Sequence, residues 1–292
     1  MSIEIKGVHQ AFHGKVVLDN LNLTIEPNKI YGLLGRNGAG KSTLLNIISD
    51  RVPARSGAVT MDGQSVHENN AALGNLYLMS EVNLYPPRNK VDQLFKKTAN
   101  FYGGFDTAYA HRLAGEFGLD LNARFGKLST GYRSIFKLII ALCVPVDYVF
   151  LDEPVLGLDA NHRDLFYQEL LSAYGERPRT FVISTHLIEE VANLIEHVFV
   201  LDDHRIIING DVSDVLAKAY AISGPQADVD RYTAGLNIIG ADHLAGIAVT
   251  YVYGTLDNSR PIPDTVQVAN QDLQKLFINL TNTTKEVSTN VN

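Results

Sequence analysis

The stretch Gly35-Arg36-Asn37-Gly38-Ala39-Gly40-Lys41-Ser42-Thr43 holds the residue types and spacings in this chain most able to do chemistry. Glycines so placed let successive backbone N–H groups converge on one anion, and a helix opening directly behind them turns its positive end to the same charge. The spacing therefore predicts a phosphate-binding loop for a nucleoside triphosphate. Lys41 would reach the β- and γ-phosphates, and the Ser42 hydroxyl would ligate Mg2+. The flanks agree: the apolar run 29–34 reads as a strand, and a helical pattern begins at Leu44.

Two further strand ends carry matching chemistry. Tyr148-Val149-Phe150-Leu151-Asp152-Glu153 is a β-branched and aromatic run ending in two acids, as expected of a buried parallel strand that opens on a ligand. Asp152 suits Mg2+, and Glu153 suits a general base that polarises the attacking water. Thr180 to Thr185 reads as a third such strand, ending at His186, whose ring can donate to a γ-phosphate oxygen.

Between these elements lies Leu128-Ser129-Thr130-Gly131-Tyr132, followed by a long helical pattern through Ile135, Leu138, Ile139 and Leu142. A Ser and a Gly at a helix start form a second anion site. One triphosphate needs two such sites only if they meet in a dimer. The order of phosphate loop, Leu128-Ser129-Thr130-Gly131-Tyr132, Asp152-Glu153-Pro154, Gly157-Leu158-Asp159 and Thr185-His186 resembles the ATP-binding subunit of ABC transporters, over residues 1–218.

That resemblance implies an α/β P-loop NTPase core with a parallel sheet, an antiparallel β subdomain and a helical subdomain. It implies Mg2+-ATP as substrate and a head-to-tail homodimer or heterodimer. In such a dimer Lys41 of one chain and Ser129 and Gly131 of the other enclose each ATP, and Gly157, Leu158 and Asp159 form the loop crossing between subunits. Phe12 matches the aromatic position that stacks on adenine. The partner implied is a transmembrane permease, which places the chain at the cytoplasmic face of the membrane. Two motifs depart from the family pattern. Its signature reads Leu-Ser-Gly-Gly-Gln, so Thr130 and Tyr132 are substitutions. Ser80, with Glu81 beside it, stands where the family carries a glutamine that senses Mg2+ and the attacking water. The loop that follows, Asn83 to Arg88, corresponds to the region that receives the permease's coupling helix.

The supporting elements are legible from periodicity. Alternation at Ile3, Ile5, Leu21, Leu23 and Ile25, with 58–63, predicts the antiparallel β subdomain. Residues 82–146 read as mostly helical, with Val91, Leu94, Phe95, Thr98 and Phe101 on one face, and 199–208 reads as a hairpin turning at Asp203-His204. From Ala219 the composition changes, and 219–292 is expected to form a small α+β accessory domain. It has a helix near 228–233, a strand at 247–253 and a last helix apolar at Leu273, Leu276, Phe277 and Leu280. Its tail is expected to fray from Thr281. The order of this extension resembles that of a bacterial subgroup, many of whose members work in export or resistance to antimicrobial peptides.

Composition narrows the function. The 46% hydrophobic content is that of a globular protein, and a net charge of −7 without a basic cluster disfavours a nucleic-acid partner. The longest apolar run, Leu138 to Val146, is about half a membrane crossing. The opening residues look like a strand rather than a signal segment, so the chain is expected to stay in the cytoplasm. The single Cys143 sits among apolar neighbours and reads as a core thiol. The leading expectation is an ATPase that powers a separate permease, with export favoured by the subgroup resemblance. The alternatives are a soluble ABC-type ATPase and a slow ATP-gated switch without a permease.

Overall fold

A computed structural model describes residues 1–244, 246–257 and 260–289. The chain begins with β1 (Ile3–Phe12) and β2 (Lys15–Ile25), then β3 (Ile30–Leu34), which leads into α1 (Lys41–Ile48). After β4 (Ser56–Met61), β5 (Gln64–Ser65) and α2 (Asn70–Leu73) come β6 (Leu76–Met79) and a helical region of α3 (Val91–Tyr102), α4 (Thr107–Glu116) and α5 (Thr130–Cys143). The core is completed by β7 (Tyr148–Asp152), α6 (Ala160–Glu176), β8 (Thr180–Thr185), the single turn α7 (Ile188–Val191), the hairpin β9 (His197–Asp202) and β10 (Arg205–Asp211), and α8 (Val212–Leu216). The last segment holds β11 (Ala219–Gly224), α9 (Gln226–Thr233), β12 (Ile238–Leu244), β13 (Ile247–Tyr253), β14 (Gln267–Asn270) and α10 (Leu273–Thr289).

The central sheet has the order β10-β9-β3-β8-β7-β6 and is parallel except for the β9–β10 hairpin. Its inner strands are apolar end to end because both faces are covered. Tyr31 and Leu33 of β3, Tyr148 and Phe150 of β7 and Val182 of β8 face one core, shared with α1 and the antiparallel sheet β2-β1-β4-β5. Their neighbours Leu34, Val149, Leu151, Phe181 and Ile183 face a larger core shared with the helical region. Successive strand side chains point to opposite faces, so each strand stitches the two cores together. Asp203 and His204 have φ of 42° and 69°, the left-handed pair that a two-residue turn between twisted strands requires.

The chain from Ala219 onward builds a separate antiparallel sheet, β12-β13-β11-β14, flanked by α9 and α10. Leu273, Leu276 and Phe277 of α10 enter the large core, and α10 lies against α7. The Arg36 guanidinium donates to Asn282 Oδ1 at 3.4 Å, so α10 reaches the phosphate loop.

Two expectations change. Phe101 is 82% exposed rather than part of the buried face of α3. It lies ten residues beyond Val91, which at 3.6 residues per turn rotates it about 80° away. After His186 the chain forms a single helical turn, at Ile188–Val191. Thr281, the expected start of a frayed tail, is buried, its hydroxyl donates to Phe277 O at 2.9 Å, and α10 runs to Thr289, with 290–292 outside the described residues. Among the described residues no helix is long and apolar enough to cross a membrane.

Candidate functional site

Parallel register brings three strand ends to one edge. Leu34 pairs with Thr185, and Asp152 with Ser184, so the segments leaving β3, β7 and β8 emerge side by side. Open parallel sheets place ligands at this carboxyl edge.

The loop leaving β3 can form only with glycine at key points. Gly38 and Gly40 have φ of 81° and 111°, left-handed values that a side chain resists. A Cβ on Gly40 would lie 2.7 Å from Leu18 Cδ2, and one on Gly35 would lie 2.7 Å from the Leu201 carbonyl oxygen. Gly40 caps α1, so the first turn of that helix opens into the loop. A cavity of about 360 Å3 forms there, lined by Asn37, Gly38, Gly40, Lys41, Ser42 and Thr43 from the loop and by Ser80, Glu81, Asp152 and Glu153 opposite. Gly35 and Arg36 contribute backbone carbonyls that accept from Lys41 Nζ at 2.8 and 3.4 Å, and Ala39 closes the turn through its N–H to Arg36 O at 3.1 Å. This cradle of backbone N–H groups, a buried ammonium and a hydroxyl fits a polyphosphate.

Glu153 stands at the centre of the charged groups. Its Oε1 lies 3.3 Å from Lys41 Nζ, and its Oε2 is 2.9 Å from His186 Nδ1. Its φ of 48° is unusual for a residue with a side chain, and the backbone is pinned there by its N–H donating to Ser184 O at 2.9 Å. Asp152 is 6% exposed, and its Oδ1 accepts the Ser184 hydroxyl at 3.0 Å. The two acids thus diverge: Asp152 points back to β8, and Glu153 points to Lys41 and His186.

The Ser129 and Gly131 pair does not join the phosphate loop within this chain. Ser129 caps α5, with its hydroxyl accepting Tyr132 N–H at 3.2 Å. Thr130 lines a second recess of about 290 Å3, with Arg133, Ser134, Lys137 and Gly157, and that recess shares Ser80, Glu81, Asp152 and Glu153 with the first. Gly131 packs closely on its own chain: a Cβ there would sit 3.0 Å from Gly157 O, so that loop would have to shift to admit a side chain. Leu128 packs beside the large core, Leu158 is buried, and Asp159 caps α6 by accepting His162 N–H at 3.0 Å. Tyr132 meets the His162 ring edge-on, with centroids 6.3 Å apart. Phe12, 43% exposed at the end of β1, lies outside the cavity lining.

Several contributors were not read from the sequence. Ser184 holds Asp152, and Arg51 Nη1 donates to Ser80 Oγ at 3.1 Å while its Nη2 donates to Leu78 O at 2.8 Å. Lys137 Nζ donates to the carbonyls of Ser80 and Glu81 at 2.7 and 3.2 Å. Burial lowers the Lys137 pKa from the usual lysine range. A lysine inside the apolar run 135–143 was a readable signal, because such a position buries charge. Arg51 carried none.

The chain is similar to several known proteins. A family model described as "ABC transporter" matches residues 18–156. The chain is 31% identical over 219 residues to the Nod factor export ATP-binding protein I of Burkholderia lata, covering 71% of this chain and 70% of that protein. It is 29% identical over 204 residues to the ABC transporter ATP-binding protein YtrB of Bacillus subtilis, with 70% of each covered. It is also 31% identical to the ribose import ATP-binding protein RbsA of Halalkalibacterium halodurans, of which it spans 43%. A solved structure of an ATP-binding subunit of an ABC transporter superposes with a TM-score of 0.66 at 20% identity, over 74% of this chain and 92% of that one.

Proposed function

We propose, for a chain that belongs to the ABC transporter ATP-binding family, that it is the ATP-hydrolysing motor of a separate membrane permease and works as a head-to-tail pair on the inner face of the membrane. The observation that carries the reading is the placement of the Glu153 carboxylate within reach of both Lys41 and His186 at the mouth of the phosphate cradle.

The residues divide the work. Backbone N–H groups of 38–43 and the Lys41 ammonium bind the phosphates and hold the γ-phosphoryl group in place. Glu153 accepts a proton from the attacking water, and His186 fixes the orientation of that carboxylate while presenting its ring toward the γ-phosphate side. Ser42 and Asp152 line the same cavity with oxygen donors, the set Mg2+ prefers, so these two would hold the ion. An ion held by these two residues would supply positive charge to offset that of the bound phosphates. Ser80 and Glu81 form the wall beyond it. Phe12, exposed beside its turn, is the surface on which adenine stacks, a contact worth about 1–3 kcal/mol.

Ser129, Thr130, Gly131 and Tyr132, together with Gly157, Leu158 and Asp159, stand apart from the phosphate loop of their own chain and serve the site of a second subunit. The permease would dock in an open groove of about 480 Å3 lined by Tyr77, Leu84, Tyr85, Pro86, Phe101 and Tyr102. Leu84 and Phe101 are 67% and 82% exposed there, which suits an apolar partner surface. Export is supported by the resemblance of the segment after Ala219 to that of export and resistance proteins.

The test is capture from the native membrane. Tagged Glu153→Gln protein, solubilised gently in ATP, is expected to bring down a multi-span membrane protein. Recovery of ribosomes, DNA-associated proteins or nothing from the membrane would overturn the permease assignment.

A further inference from the structure

Lys137 is placed where a structural residue has little reason to be charged. It is 5% exposed, in a helix whose residues from Ile135 to Cys143 are otherwise apolar and buried. Taking an ammonium out of water is costly unless hydrogen bonds replace its hydration. Among the described residues no carboxylate lies within ion-pair distance of it. Its hydrogen bonds go to two backbone carbonyls, those of Ser80 at 2.7 Å and Glu81 at 3.2 Å, and the Glu81 charge attracts it beyond ion-pair distance.

Those two residues line both the phosphate cavity and the recess beside α5. A second cation holds the same turn from the other side, since Arg51 binds the Ser80 hydroxyl and the Leu78 carbonyl. The next residues are free of such restraint, with Val82 63% exposed and Leu84 67% exposed at the edge of the apolar groove. The anchor therefore sits between the catalytic cavity and the groove. Lys137 also lies eight residues along α5 from Ser129, a distance of about 12 Å along a rigid rod.

We propose that Lys137 is a positioning residue for ATP hydrolysis, which fixes the Ser80–Glu81 backbone against the catalytic cavity and ties it to α5. The inference rests on the ATPase reading above. Ser80 is a short side chain that cannot follow a moving ligand, so its hydroxyl and the Glu81 carboxylate are useful only if the backbone beneath them is held. Arg51 sets the hydroxyl, Lys137 sets the carbonyls, and any tilt of α5 is passed to this turn.

Three readouts separate this role from a packing role: kcat for ATP, affinity for a fluorescent ATP analogue, and Tm. Lys137→Met keeps the length of the side chain and removes the buried charge. It should lower kcat at least tenfold, leave nucleotide affinity within twofold, and leave Tm unchanged or raised, while Lys137→Arg should recover a third or more of the rate. Unchanged kcat would overturn the inference, and so would a parallel loss of Tm, affinity and rate. If Lys137→Met does not fold, Arg51→Met decides, with a tenfold fall in kcat at unchanged affinity expected and an unchanged kcat overturning the proposal. A parent protein that releases no phosphate from ATP would sink the ATPase reading itself, whereas an active parent beside a fully active Lys137→Met would sink only the role given to Lys137.

Discussion

Glu153 Oε2 and His186 Nδ1 lie 2.9 Å apart, joining the ends of two adjacent strands by a single side-chain contact. The Glu153 backbone is itself bonded to Ser184 on the His186 strand, so the pair is fixed both through the main chain and through the side chains. The other carboxylate oxygen faces Lys41 at 3.3 Å, which links the water side of the reaction to the phosphate side.

Lys41→Ala should weaken ATP binding by about two orders of magnitude, read by titration with a fluorescent nucleotide. The buried ammonium is the charged donor the loop presents to phosphate, and charge-assisted bonds are roughly twice as strong as neutral ones. Binding within threefold of the parent would mean that the backbone cradle suffices without it.

Phe136 is fully buried in α5, stacked on Phe95 with centroids 5.4 Å apart and set edge-on to Tyr85 and Phe125. Phe136→Ala should cost about 3–5 kcal/mol, measured by urea unfolding. A loss below about 1 kcal/mol would show that the helical region does not unfold with the rest.

Asp242 accepts from Lys275 Nζ at 2.8 Å and from the Tyr251 hydroxyl at 3.0 Å, and these bonds lower its pKa from 3.8. A depressed carboxylate stabilises the fold above its unfolded pKa and loses that contribution as pH falls through the lower folded value. Asp242→Asn should therefore reduce Tm slightly at pH 7, and the difference should close below pH 3.8. The pair is well exposed, so salt should shrink the effect as well. A gap that persists in acid would point to packing instead of charge.

Leu84→Ser combined with Phe101→Ser should leave ATP affinity and the rate of the isolated protein within twofold while abolishing capture of the membrane partner. Both side chains are largely exposed, so the fold loses little. Undiminished capture would move the docking surface elsewhere.

The parts legible in the sequence are those where local pattern and chemistry coincide. The phosphate loop, the acid pair and the 199–208 hairpin each announce themselves by glycine spacing, by a strand ending in charge, or by turn residues suited to positive φ. Three features were not legible, two because they depend on contacts distant in sequence and one because a helical face drifts along its length. Ser80 gave no sign that Arg51 would hold its hydroxyl across 29 positions, nor that Lys137 would reach its carbonyl across 57. Phe101 fits the helical period loosely and ends up facing the groove, since ten residues of drift outweigh its hydrophobicity. The return of α10 to Arg36 links residues 246 positions apart, a range that periodicity does not reach.

The central claim rests on Glu153, and steady-state phosphate release by purified Glu153→Gln beside the parent tests it most directly. General-base catalysis contributes about 10²–10⁴-fold, so the variant should lose at least a hundredfold in kcat while still binding ATP. Release at the parental rate would contradict the assignment of Glu153 as the base, and with it the mechanism built on its contacts with Lys41 and His186.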